Sequence, residues 1–516
     1  MIHPFSRRDW GIAAVCALLI AFVTVRALVP RPTYLDSFYH YNAAARLASG
    51  YGLTDRYVWV YLGLPPDAAQ PITETPSHLY WMPMTSLLAG GFMAVFGQSF
   101  AVAQVPMALC LAGALLMAAL AGGWIGGERR HAVLALVLMA ASGTFADFWG
   151  EIDTFAPYAL VGSAALASIV MARERGRMAW WLVAGLLCGA GHLTRSDGLL
   201  LLIVALIVVL TSPRKAGAAG LAAGYLAVML PWFARMSQVV GAPLPLGGLQ
   251  TAYLTDYLQI FRYPWQELSL GSVGLDALLQ ARLDALGGNL GTFFVSEGWL
   301  VLWPLMLWGL YRSPGALRLT VALFALGLHA AMILVFAWPG ARGGLLHGAA
   351  ALMPFWAAMV VTGAESFARL ISRPRPKMYP FARSVVTALV VGLAALLTVF
   401  GLSPQKQAAE PVSISALRPL LNTQDRVMAT DPARNYYYLG VGGAVLPDAP
   451  VERLAEMART FALDYLVLEE IEADTDGALA ATAPEQLNAI LADTPPFLEL
   501  VSDFGHTRLY RFVGAD

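Results

Sequence analysis

Four carboxylates and three cationic side chains stand in this sequence where an apolar chain should not carry charge. Asp36 follows the first apolar run, in "RPTYLDSFYHYNAAARLASGYGLTDRY". Glu151 and Asp153 lie in "FWGEIDTFAPY", Arg195 and Asp197 in "GHLTRSDGLLLL", and Arg342 and His347 in "WPGARGGLLHGAAALMP". A charge at the bilayer centre costs about 2.5–3.5 kcal/mol on insertion scales, so each of these groups asks for a reason. A carboxylate aimed into a cavity can take the proton of a hydroxyl, and a second one can orient that hydroxyl or hold a cation. Two guanidiniums and an imidazole facing one cavity suit a phosphate, whose oxygens accept paired N–H bonds. Each group also has a plainer reading. Asp36 can cap the helix that runs to Gly50, the Glu151–Asp153 pair can be a solvated turn, and Arg195 and Asp197 can pair privately. Snorkelling accounts for Arg342, but not for His347 deeper in the span.

The elements that must position these groups are membrane helices. The chain has 516 residues, 58% hydrophobic and 13% charged. Soluble proteins carry about 25% charged residues, so the composition is that of an integral membrane protein. Apolar runs fall at about 11–29, 100–122, 132–149, 155–172, 179–193, 198–212, 216–235, 293–311, 316–337, 343–363 and 384–402. Basic clusters at Arg7/Arg8, Arg129/Arg130, Arg173–Arg177, Arg214/Lys215, Arg312/Arg318 and "RLISRPRPKMYPFAR" occupy alternate loops, which marks those loops as cytoplasmic. The pattern closes with eleven spans, the N-terminus inside and uncleaved, and the tail outside. "MPMTSLLAGGFMAVFG" (82–97) would invert every later loop if it crossed, so it reads as an outer-surface or re-entrant helix. This topology puts every group named above on the outer side.

From about residue 404 the texture changes. Acidic residues outnumber basic ones about two to one, which argues against a nucleic-acid partner. "DRVMATD" and "DYLVLEE" read as strands around the helix "PVERLAEMARTFAL", and "FLELVSDFGHTRLYRFV" as a strand pair around a glycine turn. The expected fold is thus an α-helical polytopic domain over 1–403 with a small extracytoplasmic α/β domain over 404–516. "GVGGAV" lacks the third glycine of a dinucleotide fingerprint. Cys16, Cys110 and Cys188 all lie in apolar runs and imply no disulfide framework. His40 and His78 share a loop with Asp36, so a divalent cation is possible, but no ligand spacing specifies a metal and no cofactor is certain. Tyr39 and His40, and Tyr257 and Arg262 in "LQTAYLTDYLQIFRYPWQEL", are candidates for lining a sugar or lipid site; interfacial helices with belt aromatics are the plainer reading.

An Asp just after the first span, then a long outer loop ending in "YWMPMTSLLAGGFMAVFG", resembles the GT-C superfamily of polytopic glycosyltransferases. These include protein O-mannosyltransferases, the aminoarabinose transferase of lipid A and oligosaccharyltransferases. The "GEIDTFAPY" turn, "HLTRSDGLL" and "RGGLLH" also stand where such enzymes carry polar outer-face residues, and the likeness spans roughly residues 1–400. The resemblance implies a polyprenyl-phosphate-linked sugar donor, a lipid, glycan or protein acceptor, and inversion at the anomeric carbon. It implies that Asp36 is the base, and that Arg195, Arg342 and His347 neutralise the departing lipid phosphate. Many members show two adjacent acids after the first span; here Ser37 follows Asp36, which leaves Glu151 or Asp153 as the second acid. A transporter or flippase of lipid-linked sugars would more typically show internal repeats and spans broken near the midplane. A non-catalytic scaffold would not need an Asp, two Arg and a His on one face.

Overall fold

The computed structural model describes residues 4–61, 64, 71–245, 247–402, 410–469, 490 and 492–514. The expected domain boundary at 403/404 lies outside the described residues. Six described helices are long and apolar enough to cross a bilayer: Arg7–Leu28, Phe100–Gly126, Phe155–Arg175, Gly217–Val240, Gly315–Val335 and Pro376–Gly401. The other expected runs form shorter or bent helices. Residues 132–149 become Arg129–Ala140 and a 3-10 turn at Gly143–Asp147; 179–193 and 198–212 become Met178–Thr194 and Leu199–Leu210. The 293–311 run divides into a π-helical turn at Phe293–Glu297 and the helix Trp303–Arg312. The 343–363 run is a broken pair, Ala337–Ala349 and Met353–Ile371, bent by 69°. The 82–97 segment is a helix over Met84–Phe96, too short at 13 residues to span, and it packs between Leu35–Ala48 and Phe100–Gly126.

Small residues set how closely the helices approach. A Cβ at Gly185 would collide with the Leu221 carbonyl, and one at Gly224 with the Leu182 carbonyl, so Met178–Thr194 and Gly217–Val240 lie backbone to backbone. Gly309 and Gly363 do the same for Trp303–Arg312 against Met353–Ile371. Lipid is as apolar as leucine, so this close packing, rather than a hydrophobic drive, holds the helices together.

The tail contains both expected strands, the helix Arg453–Thr460 and the hairpin Leu498–Asp503/Thr507–Phe512. The sheet these strands form includes two further strands beyond those expected. "GVGGAV" supplies Gly442–Val445, and the first outer loop supplies Tyr57–Val58. The six-stranded sheet runs 57–58, 442–445, 426–429, 465–469, 507–512, 498–503; its first four strands are mutually parallel, and the last two are antiparallel. Gly443 has φ +147°, and a Cβ there would strike the Val427 carbonyl, which is why this strand is glycine-rich. The shared sheet ties tail to loop. Asn42 Nδ2 donates to the Ala433 carbonyl at 2.8 Å, and Arg426 Nη1 to the carbonyls of Arg56 at 3.1 Å and Thr73 at 2.8 Å.

The basic loops collect into paired charges. Glu365 accepts from His131 at 2.7 Å, Arg369 at 2.5 Å and Arg383 at 3.2 Å, while Arg383 also reaches Glu128 and Arg129 pairs with Asp9 at 2.8 Å.

Candidate functional site

The site is built from four stretches far apart in sequence. The helix Leu35–Ala48 has Tyr34 at its N-cap and no capping side chain, so Asp36 lies in the first turn instead of at the cap. There the free N–H groups and the macrodipole favour a carboxylate. The turn before Phe155–Arg175 lies against it, joined by three side-chain bonds. The Thr33 hydroxyl donates to Glu151, the Tyr34 hydroxyl donates to Asp153 Oδ2 at 2.5 Å, and the Ile152 N–H donates to Ser37 Oγ at 3.1 Å.

That stitching brings Asp36, Asp153 and His347 together, with one polar atom of each mutually within 4.8 Å. His347 arrives from the helix Leu345–Ala349, just past a kink at Arg342 and Gly343. Its Nδ1 lies 3.5 Å from Asp153 Oδ2 and 3.1 Å from Thr154 Oγ1, and its ring rests on Phe155 with centroids 4.0 Å apart. His40 reaches the other oxygen of Asp153, Nε2 to Oδ1, at 4.0 Å. Its Nδ1 bonds Ser86 Oγ at 3.0 Å, and Ser86 bonds His78 Nε2 at 3.0 Å. Burial pushes the Asp153 carboxyl up, but His347, His40, the Tyr34 hydroxyl and the Thr154 N–H outweigh it and hold it below the usual value. Burial lowers His40 to about 4 against the pull of Asp153, so this imidazole is neutral at pH 7.

Arg195 stands at the end of Met178–Thr194. Its Nε and Nη2 donate to Asp197 at 2.8 and 3.0 Å, so the private ion pair exists. The same fork also spans the site, with Nη1 on Thr154 Oγ1 at 3.2 Å and Nη2 on the Gly344 carbonyl at 3.2 Å. A guanidinium has five N–H donors, and these bonds engage four, which leaves one on Nη1 for a ligand.

The remaining candidates fall elsewhere. Glu151 is buried beside Thr33, outside the Asp36–Asp153–His347 trio. Arg342 is exposed on the kink, its guanidinium 5.8 Å over the Trp338 ring. Tyr39 is buried instead of belting the interface; its hydroxyl donates to Asp55 Oδ2 at 3.0 Å and accepts from the His78 N–H at 2.6 Å. Tyr257 begins a 3-10 turn that Asp256 caps, and Arg262 pairs with Asp448 at 3.5 Å, docking this loop on the tail sheet.

A family model described as dolichyl-phosphate-mannose-protein mannosyltransferase matches residues 76–237. A comparison with curated protein sequences finds no match. Among solved structures, ArnT from Cupriavidus metallidurans bound to undecaprenyl phosphate aligns at TM-score 0.58 and 14% identity over 99% of both chains. The archaeal oligosaccharyltransferase AglB from Archaeoglobus fulgidus, in complex with an inhibitory peptide and a dolichol-phosphate, aligns at TM-score 0.57 and 14% identity over 92% of this chain and 71% of its own. An Archaeoglobus fulgidus oligosaccharyltransferase in complex with zinc and sulfate aligns at TM-score 0.58 and 14% identity over 92% of this chain and 70% of its own. The fold is that of the GT-C glycosyltransferases.

Several supporting residues of the site carry little or no signal of their role in the sequence. Thr154 bridges Arg195 and His347, and Ser86 bridges the two buried histidines. Gln104 bonds the carbonyls of Val29 at 2.7 Å and Gly150 at 2.9 Å, and accepts from Arg26 at 2.7 Å, so it joins the first span to the site turn. Gln104 had a legible signal, a polar side chain inside the apolar Phe100–Gly126 run. Ser86 and Thr154 had none, because hydroxyls are common in such helices and turns.

Proposed function

We propose that this chain is an inverting glycosyltransferase that moves a sugar from a polyprenyl-phosphate-linked donor to an acceptor hydroxyl at the outer face of the membrane. One observation carries the reading: four remote stretches converge to put Asp36, Asp153 and His347 within 4.8 Å of one another, with Arg195 tied to the same cluster through Thr154. Private packing environments for each group would have no need of this convergence. The GT-C fold, and the lipid phosphates bound by ArnT and AglB, support a donor of that class.

Asp36 takes the acceptor's hydroxyl proton as its oxygen attacks the anomeric carbon from the face opposite the phosphate. The anomeric C–O bond breaks, and its electron pair leaves with the lipid phosphate. Asp153, held by the Tyr34 hydroxyl and the Thr154 N–H with two imidazoles beside it, stays ionised next to the base and fixes the acceptor's orientation. The remaining Nη1 donor of Arg195 answers the charge growing on the phosphate, where a fixed cation in a dry site acts strongly. Arg342, on the exposed kink, meets the same phosphate as the lipid enters. Two carboxylates and an imidazole form a donor set that fits a divalent cation, so Asp36, Asp153 and His347 would hold one; when bound, it would supply positive charge to the acceptor or phosphate oxygen. Eleven apolar segments cross the membrane in this reading. The Arg-rich end is cytoplasmic, and the sheet lies outside as a small domain; the clustering of Arg129, Arg369 and Arg383 away from the sheet supports that orientation.

The test is Asp36→Asn, assayed by the lipid-linked sugar that accumulates in cells. Loss of a general base costs about 10²–10⁴ in rate, so the variant should accumulate the same lipid as a deletion strain while keeping wild-type thermal stability. Normal donor turnover by the stable variant refutes the assignment.

A further inference from the structure

The first outer loop folds back on the Leu35–Ala48 helix and encloses a pocket that the transfer chemistry above does not use. Asp55, Tyr57, Trp59, Tyr80 and Trp81 line it together with Tyr39. Its enclosed part is about 30 Å³, room for one or two groups the size of water. Asp55 and Trp59 form its floor at 4% and 6% exposure, and the half-buried rings of Tyr80 and Trp81 form its rim. Among the described residues, two polar atoms there have no hydrogen-bond partner, Asp55 Oδ1 and Trp59 Nε1. Tyr39 satisfies only the other oxygen of Asp55. With Asp55 ionised, one orphan is an acceptor and the other a donor. A hydroxyl answers both at once, whereas an ammonium group would leave the indole N–H unmet. The walls are aromatic, with Trp59 and Trp81 centroids 4.0 Å apart and Trp81 4.2 Å from Tyr39. The pocket adjoins the transfer site: the Trp81 ring lies 6.3 Å from His40, and the Tyr80 hydroxyl feels the charges of Asp36 and Arg195.

We propose that this pocket is a saccharide subsite, in which a ring hydroxyl donates to Asp55 Oδ1 and accepts from Trp59 Nε1–H while the sugar ring packs against the exposed parts of Tyr80 and Trp81. The inference deepens the glycosyltransferase reading and rests on it for its biological meaning. It assigns sugar selection to the first outer loop, beside the reacting centre and on the side of His40. The rim aromatics hold the ring, and the floor reads one hydroxyl by position.

The test uses the full chain in lipid nanodiscs, titrated with a panel of methyl glycosides of hexoses and pentoses, with binding read by saturation-transfer NMR. Two variants probe the floor. In Asp55→Asn the single amide oxygen still accepts from Tyr39, so the pocket is offered an NH₂ donor in place of an acceptor. Trp59→Phe keeps a ring against Trp81 and removes the N–H. At least one glycoside should bind saturably, and each variant should weaken it roughly ten- to hundredfold, as expected for loss of one hydrogen bond to a buried group. Tetramethylammonium should not displace it. The proposal is overturned if no glycoside saturates, if both variants bind as well as wild type, or if tetramethylammonium competes. The outcome is separable from the transferase reading: saturable glycoside binding by a chain that transfers no sugar would keep the subsite and sink the enzyme, and the converse would keep the enzyme and sink the subsite.

Discussion

Arg195 is the side chain on which structural and chemical roles can be told apart by number. Its guanidinium makes two bonds to Asp197, which is 6% exposed at the side chain, and one each to Thr154 and the Gly344 carbonyl. Arg195→Ala strands the buried Asp197 carboxylate and unties two other segments. Removing one partner of a buried pair costs about 3–5 kcal/mol. Arg195→Lys keeps the charge, but a single ammonium cannot reach three acceptors in the plane of a fork, so the loss of charge-assisted bonds should cost about 1.5–3 kcal/mol. The double variant Arg195→Ala/Asp197→Ala removes the stranded charge, and should be more stable than Arg195→Ala alone by about 1–3 kcal/mol. Unfolding by SDS titration in mixed micelles measures these differences, with donor turnover followed on the same preparations. If the last Nη1 donor serves the phosphate, the double variant regains stability without regaining turnover. Equal recovery of both would reduce Arg195 to a structural tie. Additive losses in the double variant would refute the pairing itself.

Two further outcomes follow from the same network. Tyr34→Phe removes the hydroxyl that donates to Asp153 at 2.5 Å, so it should destabilise the site by about 1.5–3 kcal/mol and lower turnover more than donor affinity; unchanged turnover in a steady-state assay would show that Asp153 needs no positioning. The pH dependence of stability should change in Asp55→Asn. Burial raises Asp55 to about 7, against Tyr39, Arg46 and Arg235, so its contribution falls as pH rises from about 4 to 7. Burial lowers His40 to about 4 and His78 well below its ordinary value, so their contributions rise as pH rises toward 6.5. Taking Asp55 out should therefore steepen the rise of stability between pH 4 and 6.5 by about 1.4 kcal/mol per pH unit, and a melting series with parallel wild-type and variant slopes would contradict the assigned burial.

Much of the bundle was legible because apolar runs and basic loops are properties of contiguous sequence. Every expected run contains helix, although only six described helices are long and apolar enough to cross a bilayer, and Asp36, Asp153, Arg195 and His347 stand out because charge in an apolar context is visible residue by residue. The rest depends on contacts between stretches that no local pattern records. Nothing near Tyr34 in the sequence points to its partner Asp153, which lies 119 positions away. The strand Tyr57–Val58 has two residues, too short for any alternation to show, and exists because Gly442–Val445 offers it an edge. Arg342 illustrates the converse. Its sequence neighbours include a conspicuous His347, yet the backbone departs from helical values at Arg342 and Gly343, and that kink sends the guanidinium over Trp338.

The two ends of the bundle use the same residue types to opposite effect, and the contrast argues for chemistry at one of them. At the Arg-rich end the acids are matched by guanidiniums: Glu365 by Arg369 and Arg383, Glu128 by Arg383, Asp9 by Arg129. Such pairing discharges the acids and leaves a scaffold. At the other end Asp153 meets imidazoles on both oxygens, one of them neutral at pH 7, and the nearest guanidinium is engaged by Asp197. A buried carboxylate held by a tyrosine hydroxyl and a backbone N–H, with a neutral imidazole beside it, keeps its charge without having it cancelled, which is the condition for a site that takes up a proton or a cation. Moving an arginine into that shell, as in His40→Arg, should therefore suppress turnover even where the fold tolerates the substitution. A folded His40→Arg variant with wild-type turnover would show that the uncancelled charge has no part in the reaction.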